Sequence, residues 1–162
     1  MGASLFRAAC ARFATGITVV TTTDSHGRPH GLTVNSFTSV SLDPPLILVC
    51  LGLRVSLLEH FRSAETFAVN ILAADQQEIS RRFASPLEDR FQGVAWKPGH
   101  NGTPVLDGTL ATMECNVAQL LDAGDHVILV GEVRHAEYRD GEPLLYFNSR
   151  YSHLNVTEQP GR

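Results

Sequence analysis

Lysine is almost missing from this 162-residue chain: Lys97 stands alone, so the other basic side chains are arginines. An anion held by a side-chain cation is then held by an arginine fork, the alternative being backbone N–H groups. The formal net charge is -4, and aromatics are not interleaved with basic residues, which argues against a nucleic-acid partner. The three cysteines, Cys10, Cys50 and Cys115, are far apart and form no CxxC pair, so they signal neither a disulfide framework nor a zinc knuckle. No apolar run approaches the ~20 residues of a membrane span, and the N-terminus has no charged-then-apolar leader pattern. A cytoplasmic protein without membrane contact is expected.

Familiar signatures are missing too. No GxGxxG opens a helix and no GxxxxGKS/T occurs, so a dinucleotide would need another cradle. No serine sits in a GxSxG elbow, which argues against triad hydrolysis. The histidines form no HxH pair, and their one HxxxH spacing, His26 and His30, falls in a Gly- and Pro-containing turn rather than on a helix face. His126 and His135 lie nine apart, on opposite faces of any unbroken strand, so no metal site is expected.

What is present describes a globular protein, 43% apolar and 19% charged, of a length suited to one domain over residues 1–162. Ser4 to Phe13 has helical apolar spacing, with an end near Gly16. Strand character follows at Ile17 to Thr23, Gly31 to Asn35 and Ser39 to Leu42. Pro44 and Pro45 precede Leu46 to Leu51, a continuous apolar run that reads as a strand buried on both faces. Ser56 to Phe61 reads as a capped helix, Thr66 to Leu72 as a strand, and Asp75 onward as a helix with Glu78 at its capping-box position, stopped by Pro86. Leu87 to Pro104 reads as a long surface loop anchored by Trp96. Leu110 to Leu121, His126 to Tyr138 and Leu144 to Phe147 are further extended segments, and Asn155 to Arg162 reads as a frayed tail. About six strands joined mostly by short turns argue for an antiparallel barrel rather than βαβ units.

Chemistry concentrates in TVNSFTSVS, Thr33 to Ser41, where six hydroxyl or amide side chains crowd a strand end. Such residues commonly do no more than satisfy nearby backbone groups. GDH, Gly124 to His126, stands where a turn becomes a strand, and a lone histidine there is commonly a structural hydrogen-bonder.

The run TGITVVTTTDSHGRPHGLTVNSFTSVSLDPPLILVCLG, Thr15 to Gly52, resembles the opening of the flavin reductase family, which includes reductase components of two-component flavin monooxygenases. The likeness continues through FAVNILAADQQEISRRFA, RFQGVAW, GTPVLDGTLATMECNV, GDHVILVGEV and PLLYFNSRYSHL. It implies a mainly β fold, a six-stranded antiparallel Greek-key split β-barrel with short flanking helices, in a homodimer. It also implies hydride transfer from NADH or NADPH to FMN or FAD, with reduced flavin passed to a separate monooxygenase. Carried over, Thr33, Val34, Asn35 and Ser36 would lie along the flavin ring, with Cys50, Leu51 and Gly52 as the adjoining strand end. Ser56 and Arg82 would meet phosphate and Phe83 the ring. Ser39, His126 and Tyr151 would face the nicotinamide, with His126 as the catalytic residue. LGLRVSLL keeps Arg54 and Ser56 but places Leu57 and Leu58 where many relatives differ, which leaves FMN and FAD both open. A flavin- or haem-binding split-barrel sensor or carrier without turnover is the alternative. Retention of GDH and the C-terminal tyrosine favours the enzyme.

Overall fold

The computed structural model describes residues 2–154; the expected frayed tail lies outside them. In chain order the elements are α1 (Ala3–Cys10), β1 (Thr15–Gly16), β2 (Thr18–Thr23), β3 (Pro29–Val34), β4 (Thr38–Leu42) and β5 (Pro45–Gly52). Then come α2 (Leu58–Arg62), β6 (Thr66–Ile71), a 3-10 turn (Ala74–Gln76), α3 (Gln77–Ala84), β7 (Trp96–Pro98) and β8 (Pro104–Leu106). β9 (Ala111–Ala123), β10 (His126–Tyr138), β11 (Leu145–Phe147) and β12 (Arg150–Ser152) follow within the described residues. The protein is mainly β.

The main sheet is antiparallel and holds seven strands rather than six, in the order β3-β2-β6-β9-β10-β5-β4, and its ladders do not close. β1, β11 and β12 form a small second sheet, and β7 with β8 a third. The extra strands come from segments too short or too rich in turn residues to read in advance. β7 and β8 arise inside the expected loop because Trp96 pairs with Leu106 and packs edge-on against Phe91, 5.5 Å between centroids.

Alternation explains the sheet. β5 was expected to be buried on both faces, yet Ile47, Val49 and Leu51 are buried while Leu48, Cys50 and Gly52 are partly exposed, the signature of a strand with one face on the core. The sheet curls about that core, where Val20, Leu32, Val34 and Val49 meet Phe61, Phe67 and Leu129. A second cluster, Val19, Leu72, Phe83, Phe91, Leu106 and Leu144, packs under α3. Burying each such side chain contributes about 1.5–3 kcal/mol.

Asn70, fully buried on β6, locks the two layers together. Its Nδ2 donates to the Val19 carbonyl at 3.0 Å and to Thr21 Oγ1 at 3.2 Å, while its Oδ1 accepts from the Leu106 N–H at 2.9 Å. α3 starts differently from expectation. The cap is Gln76, which gives α3 no side-chain cap bond because its Oε1 accepts the Ala73 N–H at 3.0 Å and closes the 3-10 turn instead, and no Glu78 capping box is present.

Candidate functional site

The end of β3, the end of β5 and the start of β10 come together at one side of the sheet. Gly124, at φ 63°, supplies the positive-φ residue of the tight β9–β10 turn, so that β10 begins at His126 with Gly52 of β5 as its register partner. His126 is exposed, and its Nδ1 lies 2.7 Å from Asp125 Oδ1. That hydrogen bond and the nearby His126 charge hold the Asp125 carboxyl below its usual range. A Cβ built on Gly52 would stand 3.8 Å from His126 Nε2 and 3.7 Å from Val55, so the glycine leaves a bare backbone floor between them.

The hydroxyls of the dense segment are spent on backbone groups. Ser36 Oγ accepts the Cys50 N–H at 2.9 Å and donates to the Cys50 carbonyl at 3.0 Å, taking over the edge of β5 where pairing with β4 stops at Leu48. Thr33 Oγ1 donates to the Ser80 carbonyl of α3 at 2.7 Å. Asn35 and Ser39 are exposed, whereas Val34 and Leu51 point into the core, so these two can offer a ligand only backbone.

Three expectations change. Ser56 does not begin a helix: α2 starts at Leu58 with Leu57 in the cap position and no capping side chain. Arg82 already donates Nε to the Arg90 carbonyl at 2.7 Å and Nη2 to the Asp89 carbonyl at 3.3 Å, which ties down the loop after α3. Phe83 is fully buried between the Gly31 backbone and Phe91 and has no surface for a ligand. Tyr151 is partnered with α3, its OH 2.9 Å from Ser80 Oγ and its ring 5.5 Å from the Arg81 guanidinium carbon. With Thr33, Val34 and Asn35 it lines a pocket of about 200 Å³ that does not include His126.

A larger cavity, about 990 Å³, adjoins Ser56 and is lined by Arg28, His30, His60, Phe91 and Trp96. Of its lining residues, sequence reading had assigned only Ser56 to a ligand. His30 and His60 stack with centroids 3.8 Å apart and planes 8° from parallel, and His30 Nε2 lies 3.2 Å from Asp24 Oδ2. Burial and the neighbouring His30 push the His60 pKa down. No sequence spacing joins residues 24, 30 and 60, so only the fold assembles this wall.

A family model described as "Flavin reductase like domain" matches residues 10–155. A Rhizobium meliloti protein named "Probable flavin reductase" is 50% identical over 145 residues, 90% of this chain and 47% of that protein. This chain thus spans about half the length of some curated relatives, 47% to 55%. FMN reductase (NADH) SmoA of Agrobacterium fabrum is 45% identical over 150 residues, 93% of this chain and 85% of that one. Among solved structures, the Streptomyces globisporus NADH:FAD oxidoreductase in complex with NAD and FAD fragments superposes with a TM-score of 0.91 at 37% identity, covering 96% of this chain and 94% of that one.

Proposed function

Because the chain belongs to the flavin reductase family, we propose that it moves a hydride from NADH to FMN or FAD and passes the reduced flavin to a separate monooxygenase. The observation that carries this reading is the family match, residues 10–155, which takes in every residue from Thr33 to Tyr151. Three relatives are named for NADH, and another is named as the reductase component of a flavin-dependent monooxygenase. The curled sheet is read as the family's split barrel, in one domain. Three free cysteines fit a reducing, cytoplasmic setting.

The groove suits a flavin on its own features. A Cβ at Gly52 would fill the gap between Val55 and His126. The adjoining cavity of about 990 Å³ lies at the upper end of the range of about 300–1,000 Å³ usual for ligand clefts.

A bound flavin supplies the hydride acceptor, and a nicotinamide supplies the donor. The protein's part is to position and polarise. Asn35, exposed beside the Ser36–Cys50 joint, offers an amide to the edge of the flavin ring. Backbone N–H groups of the β3 end add donors without needing the spent Thr33 and Ser36 hydroxyls. His126, fixed by Asp125, and the Ser39 hydroxyl orient the nicotinamide, and Tyr151 closes the pocket beside Thr33. Arg28 lines the large cavity with its Nε donating to Asp24 Oδ2 at 2.9 Å, so a phosphate there would meet its remaining guanidinium N–H groups. Hydride transfer asks for no side-chain nucleophile, so orientation over a bare backbone floor is the main catalytic task.

NADH oxidation, followed by absorbance with FMN and with FAD added, tests the reading. Turnover dependent on added flavin is expected. Tight flavin binding without turnover would instead make the protein a carrier.

A further inference from the structure

At the far end of the β9–β10 hairpin, away from the Gly52–His126 floor, a carboxylate is buried without a cation. Glu114 of β9 is 3% exposed, and no arginine or lysine pairs with it among the described residues. Its Oε2 accepts the Asn101 N–H at 2.9 Å, and the Gly99 backbone packs so closely that a Cβ there would stand 2.6 Å from Glu114 Cδ. Buried carboxylates are costly unless paired or coordinating.

The groups that converge on Glu114 are histidines. The β9–β10 register sets His135 directly opposite Glu114, immediately after the irregularity at Arg134. Bulges of this kind re-aim side chains. His100, on the turn between β7 and β8, packs its ring against His135, 3.9 Å between centroids. One ligand atom from each of His100, Glu114 and His135 lies within 4.8 Å of the other two. Glu137 Oε1 lies 3.2 Å from His135 Nε2, the carboxylate–imidazole pairing that orients metal-binding histidines. A pocket of about 200 Å³, lined by Lys97, His100, Thr112, Glu114 and Glu137, opens beside the cluster.

We propose that His100, Glu114 and His135 bind one divalent ion of the zinc class and so clamp the β7–β8 turn onto the β9–β10 ladder. Two imidazoles and one carboxylate are a borderline donor set suited to zinc and its neighbours. Tetrahedral ligands about 2.0–2.2 Å from an ion stand roughly 3.3 Å apart, so closure requires movement of about 1.5 Å or less. His100, exposed on its turn, is the group that moves. Glu114 is the fixed anchor, and a fourth position is left to solvent.

The test uses full-length, tag-free protein stripped with a chelator and titrated with Zn²⁺ by calorimetry and with Co²⁺ by visible absorption. One ion per chain, a Co²⁺ d–d band and a raised thermal midpoint are expected. His100→Ala and His135→Ala should each weaken binding by about tenfold to a hundredfold or more, while NADH oxidation with added flavin stays at the wild-type rate. His100 is exposed, so its variant keeps the test free of folding losses. His60→Ala, on the other histidine group, should bind as wild type does. Absence of Zn²⁺ uptake by the wild type would overturn the proposal. So would equal uptake by wild type and the His100→Ala, His135→Ala double variant.

Discussion

His126 is anchored from one side only: Asp125 takes Nδ1, and Nε2 faces the bare backbone of Gly52. Replacing the imidazole removes an orienting group without touching the backbone floor. His126→Ala is therefore expected to slow flavin reduction about tenfold to a hundredfold, or about 1.4–2.7 kcal/mol in the barrier, with oxidised-flavin affinity nearly unchanged. Stopped-flow reduction at saturating flavin measures it, and a wild-type rate would make His126 structural. At this scale the sequence was only half legible. The hydroxyl-rich segment is plain in the sequence, but Thr33 and Ser36 bond backbone groups 47 and 14 residues away, which no local pattern displays. The metal-ligand candidates were hidden for a related reason. Local spacing rules see histidines on one element, whereas His100 and His135 meet across a strand pairing whose alternation breaks at Arg134.

Among the elements, β10 was legible to the residue, His126–Tyr138, because a long strand with one face on the core writes its period into the sequence. β12 and the β7–β8 hairpin were not, because three-residue strands are shorter than any reliable period. Gly131 is the tight point of β10: an added Cβ would stand 2.6 Å from Phe67 Cε1 and 2.8 Å from Cys115 Cβ. Gly131→Ala should cost about 1–3 kcal/mol through overpacking, since Phe67 is fully buried. Urea unfolding measures it, and an unchanged midpoint would mean that the core yields there.

The β2–β3 turn carries a pH signature. Covering of the Asp24 carboxylate opposes its charge. The Arg28 N–H, the His30 ring, the His26 N–H and the Arg28 side chain outweigh that and hold its pKa well below the ordinary 3.8. A depressed folded-state pKa gives stability that is fully present above the unfolded value and is lost as pH falls towards the folded one. Wild-type stability should therefore decline below about pH 4, and less steeply in Asp24→Asn. Parallel pH profiles for the two proteins would remove Asp24 from the account.

For the whole molecule, the apolar surface is uneven. α1 buries no side chain, Phe13 beyond it is 78% exposed, and Leu42 on the edge strand β4 is 96% exposed. Large apolar side chains left this open to water are candidates for cover by a partner surface. We expect a homodimer, with light scattering giving twice the chain mass, and Phe13→Asp together with Leu42→Asp shifting it towards monomer. A stable wild-type monomer that binds flavin tightly would end that reading.

The joint between Ser36 and Cys50 ties the connection between β3 and β4 to the end of β5, beyond the last β4–β5 pair, through one hydroxyl. Where a ladder spreads closure over many amides, this seam depends on a single one, and its breathing can be timed by hydrogen exchange. In Ser36→Ala the Cys50 amide loses its acceptor, and its protection should fall roughly two- to tenfold, the exchange equivalent of one ordinary hydrogen bond. Unaltered protection would mean that other groups keep the seam shut.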